Sequence, residues 1–167
     1  TKADTVLGIT AGGTTPWPLG GLEHARSVGC MTALLCCAPV EDIDVDHLLC
    51  LDSGPELLTG STRLKSGTAT KLALNTITTA AFIRLGKVHG NRMVDIRATN
   101  AKLHDRAIRV LMSYDEHLDR PDADALLTRC DGELKTAIVV LRTGQEPAEA
   151  RASVERAGGF LADILGE

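Results

Sequence analysis

Three short apolar runs stand close together near the start of this chain: Thr5–Thr10 (TVLGIT), Met31–Cys37 (MTALLCC) and Val45–Leu51. Their continuity constrains the fold more than any other feature. A half-buried strand alternates apolar and polar residues, whereas a strand covered on both faces reads as an unbroken apolar run, and such strands belong to parallel sheets. Between the first two runs Leu19, Leu22, Ala25 and Val28 recur at three-residue steps, Pro16 suits a helix start, and Gly29 is placed to close the helix. Strand, helix, strand with buried runs predicts an α/β fold around a parallel sheet. Three parallel strands with helices on one side leave a sheet edge and a face uncovered. The chain also opens on Thr1. The expectation is that an N-terminal portion with further strands of the same sheet is absent from this polypeptide.

Beyond Thr68 the pattern reads as helix throughout. Thr68–Val88 is apolar nearly all round (Leu72, Ala73, Leu74, Ile77, Ala80, Ala81, Phe82, Ile83, Leu85), which predicts a buried central helix. Asn100–Met112 is amphipathic, with Leu103, Ala107, Val110 and Leu111 opposite Lys102, Asp105, Arg106 and Arg109. From Asp119 the texture changes to three short helices, Pro121–Asp131, Glu133–Thr143 and Pro147–Ala157, and a last turn Phe160–Leu165. Gly132, Gly144 and Gly158–Gly159 punctuate them, and Pro121 and Pro147 sit where first helical turns tolerate proline. The expected organisation is an α/β part over 1–114 followed by a small helical part over 115–167.

Composition excludes several functions. The only aromatics are Trp17, Phe82, Tyr114 and Phe160, so a base-stacking platform or an aromatic sugar-stacking wall is not expected. A net charge of −4 with both signs interspersed argues against nucleic acid as partner. No apolar run approaches the ~20 residues that span a bilayer, and no signal peptide precedes the first run, so a membrane partner is not expected and the protein reads as soluble and cytoplasmic. Five cysteines is an odd number. Cys36 and Cys37 sit in an apolar run and fit buried, reduced thiols. There is no CxxC, and His24, His47, His89, His104 and His117 lack paired ligand spacing, so no metal site is expected.

The chemistry concentrates in Ser53–Thr68 (SGPELLTGSTRLKSGT), which packs three glycines, six Ser or Thr hydroxyls, Arg63 and Lys65 between a strand-like run and a helix. Glycines let a backbone approach a ligand, and hydroxyls donate to anionic oxygens. A following helix N-terminus adds about half a positive charge. Those ingredients suit a sugar phosphate. Ser61 and Thr62 are the candidate donors, with Arg63 or Lys65 either on the ligand or ordering the loop. Glu56 is the one carboxylate in this stretch: a weak catalytic candidate, and more readily a hydrogen-bond partner within the loop. Gly12, Gly13, Thr14 and Thr15 form a Gly-rich turn after the first strand that matches neither the dinucleotide fingerprint nor the P-loop. Ligands nonetheless collect at the carboxyl edge of parallel sheets, which makes these four residues binding candidates too.

The run Gly54-Pro55-Glu56-Leu57-Leu58-Thr59-Gly60-Ser61-Thr62-Arg63-Leu64-Lys65-Ser66-Gly67-Thr68 closely resembles the signature shared by bacterial N-acetylmuramic acid 6-phosphate etherases and the glucokinase regulatory protein. The resemblance continues through Gly86-Lys87-Val88-His89-Gly90-Asn91, Met93-Val94-Asp95 and Ala98-Thr99-Asn100-Ala101-Lys102-Leu103, and covers the first loop and the helical tail. It implies a sugar isomerase domain, a three-layer α/β sandwich that binds phosphosugars and forms homodimers, with no metal or organic cofactor. It implies cleavage of the lactyl ether of N-acetylmuramic acid 6-phosphate to N-acetylglucosamine 6-phosphate and D-lactate, in cell-wall sugar recycling. A base takes the C2 proton, an acid helps expel the lactyl oxygen from C3, and water adds back.

Two departures qualify that implication. The family's catalytic glutamates lie upstream of the strand with which this chain begins. The loop that usually reads Ala-Ser-Gly-Arg-Thr-Pro is here Ala11-Gly12-Gly13-Thr14-Thr15-Pro16, without that hydroxyl and guanidinium. For Asn91, Asp95, Asn100 and Lys102 in the second motif, capping and packing are the expected roles. Two function classes follow: an etherase-type lyase, or a non-catalytic phosphosugar-binding module that reports metabolite level, as the glucokinase regulator does.

Overall fold

The computed structural model describes residues 1–166. The chain divides into two compact units, Thr1–Ile77 and Thr78–Glu167. The first holds β1 (Thr5–Ile9), α1 (Pro16–Ser27), β2 (Met31–Cys36) and β3 (His47–Cys50), and α2 (Lys65–Arg84) begins there. The three strands are parallel in the order β1-β2-β3, in register from Thr5 opposite Met31 to Cys36 opposite Cys50. The α/β class, the parallel sheet and the helical C-terminal region are as the sequence reading expected.

The central strand is buried because it has a neighbour on each side: Leu34, Leu35 and Cys36 are fully inaccessible. Helix α1 lies over β1 and β2 through Leu22 and Ala25. A methyl group on Gly8 would fall 2.7 Å from Cδ1 of Leu22, so the absent side chain is what lets the helix settle. The helix ends as expected at Gly29 (φ 83°): Gly29 N donates to Arg26 O and Cys30 N to Ala25 O, the paired bonds of a Schellman stop. Thr32, buried in β2, donates from both its N–H (2.7 Å) and its hydroxyl (2.8 Å) to Oδ2 of Asp46, tying the approach of β3 to β2. The Thr32 N–H, and then its hydroxyl, hold the Asp46 carboxyl below the usual carboxylate range.

Three of the expected elements differ in burial. β1, read as a buried strand, is an edge strand among the described residues in which only Gly8 is buried and Ile9 is 41% exposed. β3 is shorter than the apolar run and exposed along its length, because it is an edge strand among the described residues. Helix α2 forms, but of its residues only Ser66 is buried, and Leu72, Ile83 and the following Leu85 are half exposed. Apolarity on every side says what a helix can bury, and does not supply the cover.

The second unit is a helical cluster: α3 (Ala101–Met112), α4 (Arg120–Arg129), α5 (Leu134–Thr143), α6 (Pro147–Arg156) and α7 (Leu161–Leu165). Its core gathers Val94, Ala107, Leu111, Leu127, Leu134, Ile138, Val139 and Leu161, with α5 at the centre against α3, α4, α6 and α7. Asn100 and Asp119 cap α3 and α4, accepting from Leu103 N and Asp122 N at 2.9 Å. A hairpin of β4 (Val88–His89) and β5 (Arg92–Met93) precedes α3 and was not expected from the sequence, since two-residue strands carry no readable period.

All five cysteines are free, and Cys36 and Cys37 are buried as expected. Among the described residues no helix is long and apolar enough to cross a membrane.

Candidate functional site

Because the three strands run parallel, the segments that follow them leave from the same side of the sheet. Cys37, the first residue past β2, fastens two of these segments. Its N–H donates to Ala11 O (2.9 Å) in the loop after β1, and its carbonyl accepts from Ser53 N (3.1 Å) in the loop after β3. Its thiol reaches Ser66 O (3.5 Å) and the Thr70 hydroxyl (3.4 Å) in the first turns of α2. Ser53 and Ser66 also pair through their hydroxyls at 3.0 Å. The Gly-rich turn and the Ser53–Thr68 stretch are thus tied to a common residue at the carboxyl edge of the sheet.

In the first loop, Gly13 is buried with φ 78°, and any Cβ there would collide with the Val40 side chain. Gly12 is exposed with open space around it. Thr15 pairs with the buried Thr10 hydroxyl at 2.7 Å and precedes α1 without capping it by side chain, and Thr14 is exposed. Pro16 and Pro18 have no N–H and Leu19 N is bonded to Thr15 O, so Trp17 carries the one amide left in the first turn. Trp17 itself is 87% exposed. As an anion-binding helix terminus α1 is poor.

The second loop closes on α2. Ser61 N bonds to Leu58 O (2.9 Å) across a turn with Gly60 at φ 78°, and Leu58, which opens the turn, and Leu57 before it are exposed. Glu56 spans the base of this loop: Oε2 accepts from Lys65 N at 2.9 Å and Oε1 from Ser66 N at 3.0 Å. Those N–H groups, Ser66 first, hold the Glu56 carboxyl below the usual glutamate range. A depressed folded-state value means that the clamp's contribution to stability is present above the unfolded glutamate range and is lost as pH falls through the depressed value. Gly67 N is taken by Thr62 O and Thr68 N by Leu64 O. All four N-terminal amides of α2 are therefore occupied by the chain itself.

The helix terminus credited with anion binding from sequence is filled by a carboxylate. What stays available is side-chain chemistry. Ser61 is half-buried and Thr62, Arg63 and Lys65 are exposed. Among the described residues these four side chains enter no hydrogen bond or ion pair, although the Lys65 charge acts on Glu56. Sequence reasoning singled out these donors and the loop role of Glu56. It counted Ser53 and Ser66 only among the hydroxyls of the stretch and Cys37 only as a buried thiol, gave no part to Thr10, and missed the bonds these residues make across the loops.

The second motif lies in the helical unit. Asn100 is a cap and Asp95 pairs with Lys87 (2.9 Å) and Lys135 (3.2 Å), which are the capping and packing roles expected. A cavity of about 350 Å³ beside Asp95 is lined by Arg97, Glu133, Lys135, Arg151 and Glu155, with Lys135 and Arg151 already paired to Asp95 and Glu133. Among the described residues no group of three or more His, Cys, Asp or Glu is arranged to hold a metal ion.

No family model matches the chain. Curated relatives do. It is 49% identical over 164 residues to an N-acetylmuramic acid 6-phosphate etherase of Salinibacter ruber, covering 96% of this chain and 52% of that protein. It is 51% identical over 160 residues to one of Synechococcus elongatus, covering 95% and 52%, and 46% identical over 166 residues to one of Deinococcus radiodurans, covering 98% and 54%. The chain spans about half the length of the curated relatives it matches.

Proposed function

We propose, from its 46–51% identity to N-acetylmuramic acid 6-phosphate etherases over about half of their length, that this chain supplies the phosphosugar-binding part of such an enzyme. The enzyme is a carbon–oxygen lyase that cleaves the lactyl ether of N-acetylmuramic acid 6-phosphate to N-acetylglucosamine 6-phosphate and D-lactate. It works in the cytoplasm as a homodimer built on a sugar isomerase domain, with residues 1–114 in that domain and 115–167 as its helical extension. Neither nucleic acid nor membrane takes part.

The division of labour follows from the residues. Ser61 and Thr62 donate hydroxyl hydrogen bonds to phosphosugar oxygens, and Arg63 or Lys65 adds charge. Gly12, with nothing around it, lets the backbone of the first loop approach the ligand, while Thr14 and Thr15 offer hydroxyls. The acid and base that exchange protons at C2 and at the lactyl oxygen come from the upstream half that the relatives have in addition. The observation that carries the reading is the pair of loops fastened through Cys37 at one edge of a parallel sheet, with the Ser61 and Thr62 hydroxyls unbonded among the described residues.

The test compares this chain alone with the same chain fused behind the upstream half of the Salinibacter ruber relative. D-lactate release from N-acetylmuramic acid 6-phosphate is expected from the fusion only, since losing a positioned acid or base costs on the order of 10²–10⁴-fold each. Turnover by the chain alone would overturn the assignment of the chemistry. Binding without turnover by the fusion, beside an active parent enzyme, would favour a non-catalytic phosphosugar sensor.

A further inference from the structure

The filled N-terminus of α2 assigns a task to Glu56. The segment from Asp52 to Leu64 contains no strand or helix and could take many shapes. It is held by the bonds of Ser53 to Cys37 and Ser66, the turns closed by Ser61 N to Leu58 O and Leu64 N to Ser61 O, the bonds from Gly67 N to Thr62 O and Thr68 N to Leu64 O, and the two bonds that the Glu56 carboxylate accepts from Lys65 N and Ser66 N. The Ser53–Ser66 hydroxyl pair closes the stretch that contains Ser61, Thr62 and Arg63 into a wide ring, and the Glu56 carboxylate closes a tighter one inside it. The tighter closure is made to backbone amides, which cannot rotate away, and it matches a negative group to the positive end of a 20-residue helix.

We infer that Glu56 is a positioning residue: it holds the Ser61–Thr62–Arg63 turn in one arrangement and shuts the α2 N-terminus to anions, so that side chains rather than helix amides read the phosphate. The inference rests on the phosphosugar reading above and deepens it. It also opposes a direct acid–base role. Both carboxylate oxygens already accept backbone hydrogens, which stabilise the ionised form and make the group a weaker base.

The test uses Glu56→Ala and Glu56→Gln in the fusion, with phosphosugar affinity and kcat measured separately. Losing a carboxylate cap is expected to weaken binding of N-acetylmuramic acid 6-phosphate by about tenfold in the Ala variant. The Gln variant, which keeps one acceptor oxygen, should lose about threefold. At saturating substrate kcat should stay within about twofold for both, since neither change touches a group that acts only in the transition state. Excess acetate should restore part of the affinity of the Ala variant by taking the vacated terminus, and should do nothing for the parent.

Amide hydrogen exchange on the same proteins gives a readout that needs no ligand: Lys65 and Ser66 should exchange faster in the Ala variant. Unchanged affinity in Glu56→Ala, or unchanged exchange at Lys65 and Ser66, would overturn the inference. So would a Glu56→Gln variant that binds normally but loses kcat a hundredfold, which would make Glu56 a catalytic group. Failure of the parent fusion to bind the phosphosugar would instead strike the underlying reading, and the exchange rates would still decide whether Glu56 holds the loop.

Discussion

Arg63 and Ser61 bring different chemistry into the same turn, and their substitutions should separate accordingly. A hydrogen bond that involves a charged group is worth about 1.5–3 kcal/mol, so Arg63→Ala should weaken phosphosugar binding roughly ten- to a hundredfold. Ser61→Ala removes one neutral donor and should cost less. For the unphosphorylated sugar Arg63→Ala should matter little, and calorimetry on the fusion with both sugars checks the contrast. If both substitutions leave phosphosugar affinity unchanged, the turn is structural. At this scale the sequence exposed the inventory better than the wiring. Hydroxyls, glycines and cations are visible as letters. The bonds from Glu56 to Lys65 N and Ser66 N, nine and ten residues away, match no capping-box spacing and become visible only once the loop has folded back.

Elements were legible where a local rule decides them. The three-residue apolar step, the proline start and the glycine stop of α1 each reappear as packing on β1 and β2, a first helical residue at Pro16 and a Schellman stop at Gly29. β1 and β2 were legible because unbroken apolar runs flank that helix. β1, β3 and α2 were legible as elements but not in their burial, which depends on surfaces a local pattern cannot name. The β4–β5 hairpin left no periodic trace. Adjacent glycines in the first turn offer a direct check of how local geometry sets the site. Gly13 has φ 78° and no room beside Val40, whereas Gly12 has ordinary φ and open space. Thermal unfolding of the chain should therefore show Gly13→Ala destabilised by about 2 kcal/mol or more, from left-handed backbone and overpacking together. Gly12→Ala should stay within about 0.5 kcal/mol, as substitutions at open surface positions do. Equal losses at the two positions would mean that the turn adopts another conformation.

For the whole molecule, the α/β class followed the order of patterns along the chain, and the two compact units each carry their own core: Leu34, Leu35 and Cys36 in one, the cluster around Ile138 in the other. The packing boundary at Ile77 falls inside α2, where no change of composition marks it. A continuous helix hides the seam, because its own hydrogen bonds do not depend on which unit its side chains join. One residue gives the molecule a means of reporting on itself. Trp17 is the chain's only tryptophan, it stands two positions past Thr15 at the start of α1, and it is 87% exposed. Its fluorescence therefore comes from a single place, in water, beside the turn assigned to the phosphosugar. In the fusion with any tryptophans of the added half replaced, titration with N-acetylmuramic acid 6-phosphate should shift that emission to the blue as the ring loses water. Inorganic phosphate, too small to cover it, should leave the spectrum where it was. A spectrum indifferent to both would mean that the first loop stays open while the second does the binding, and the indole would then time nothing but the unfolding of its own helix.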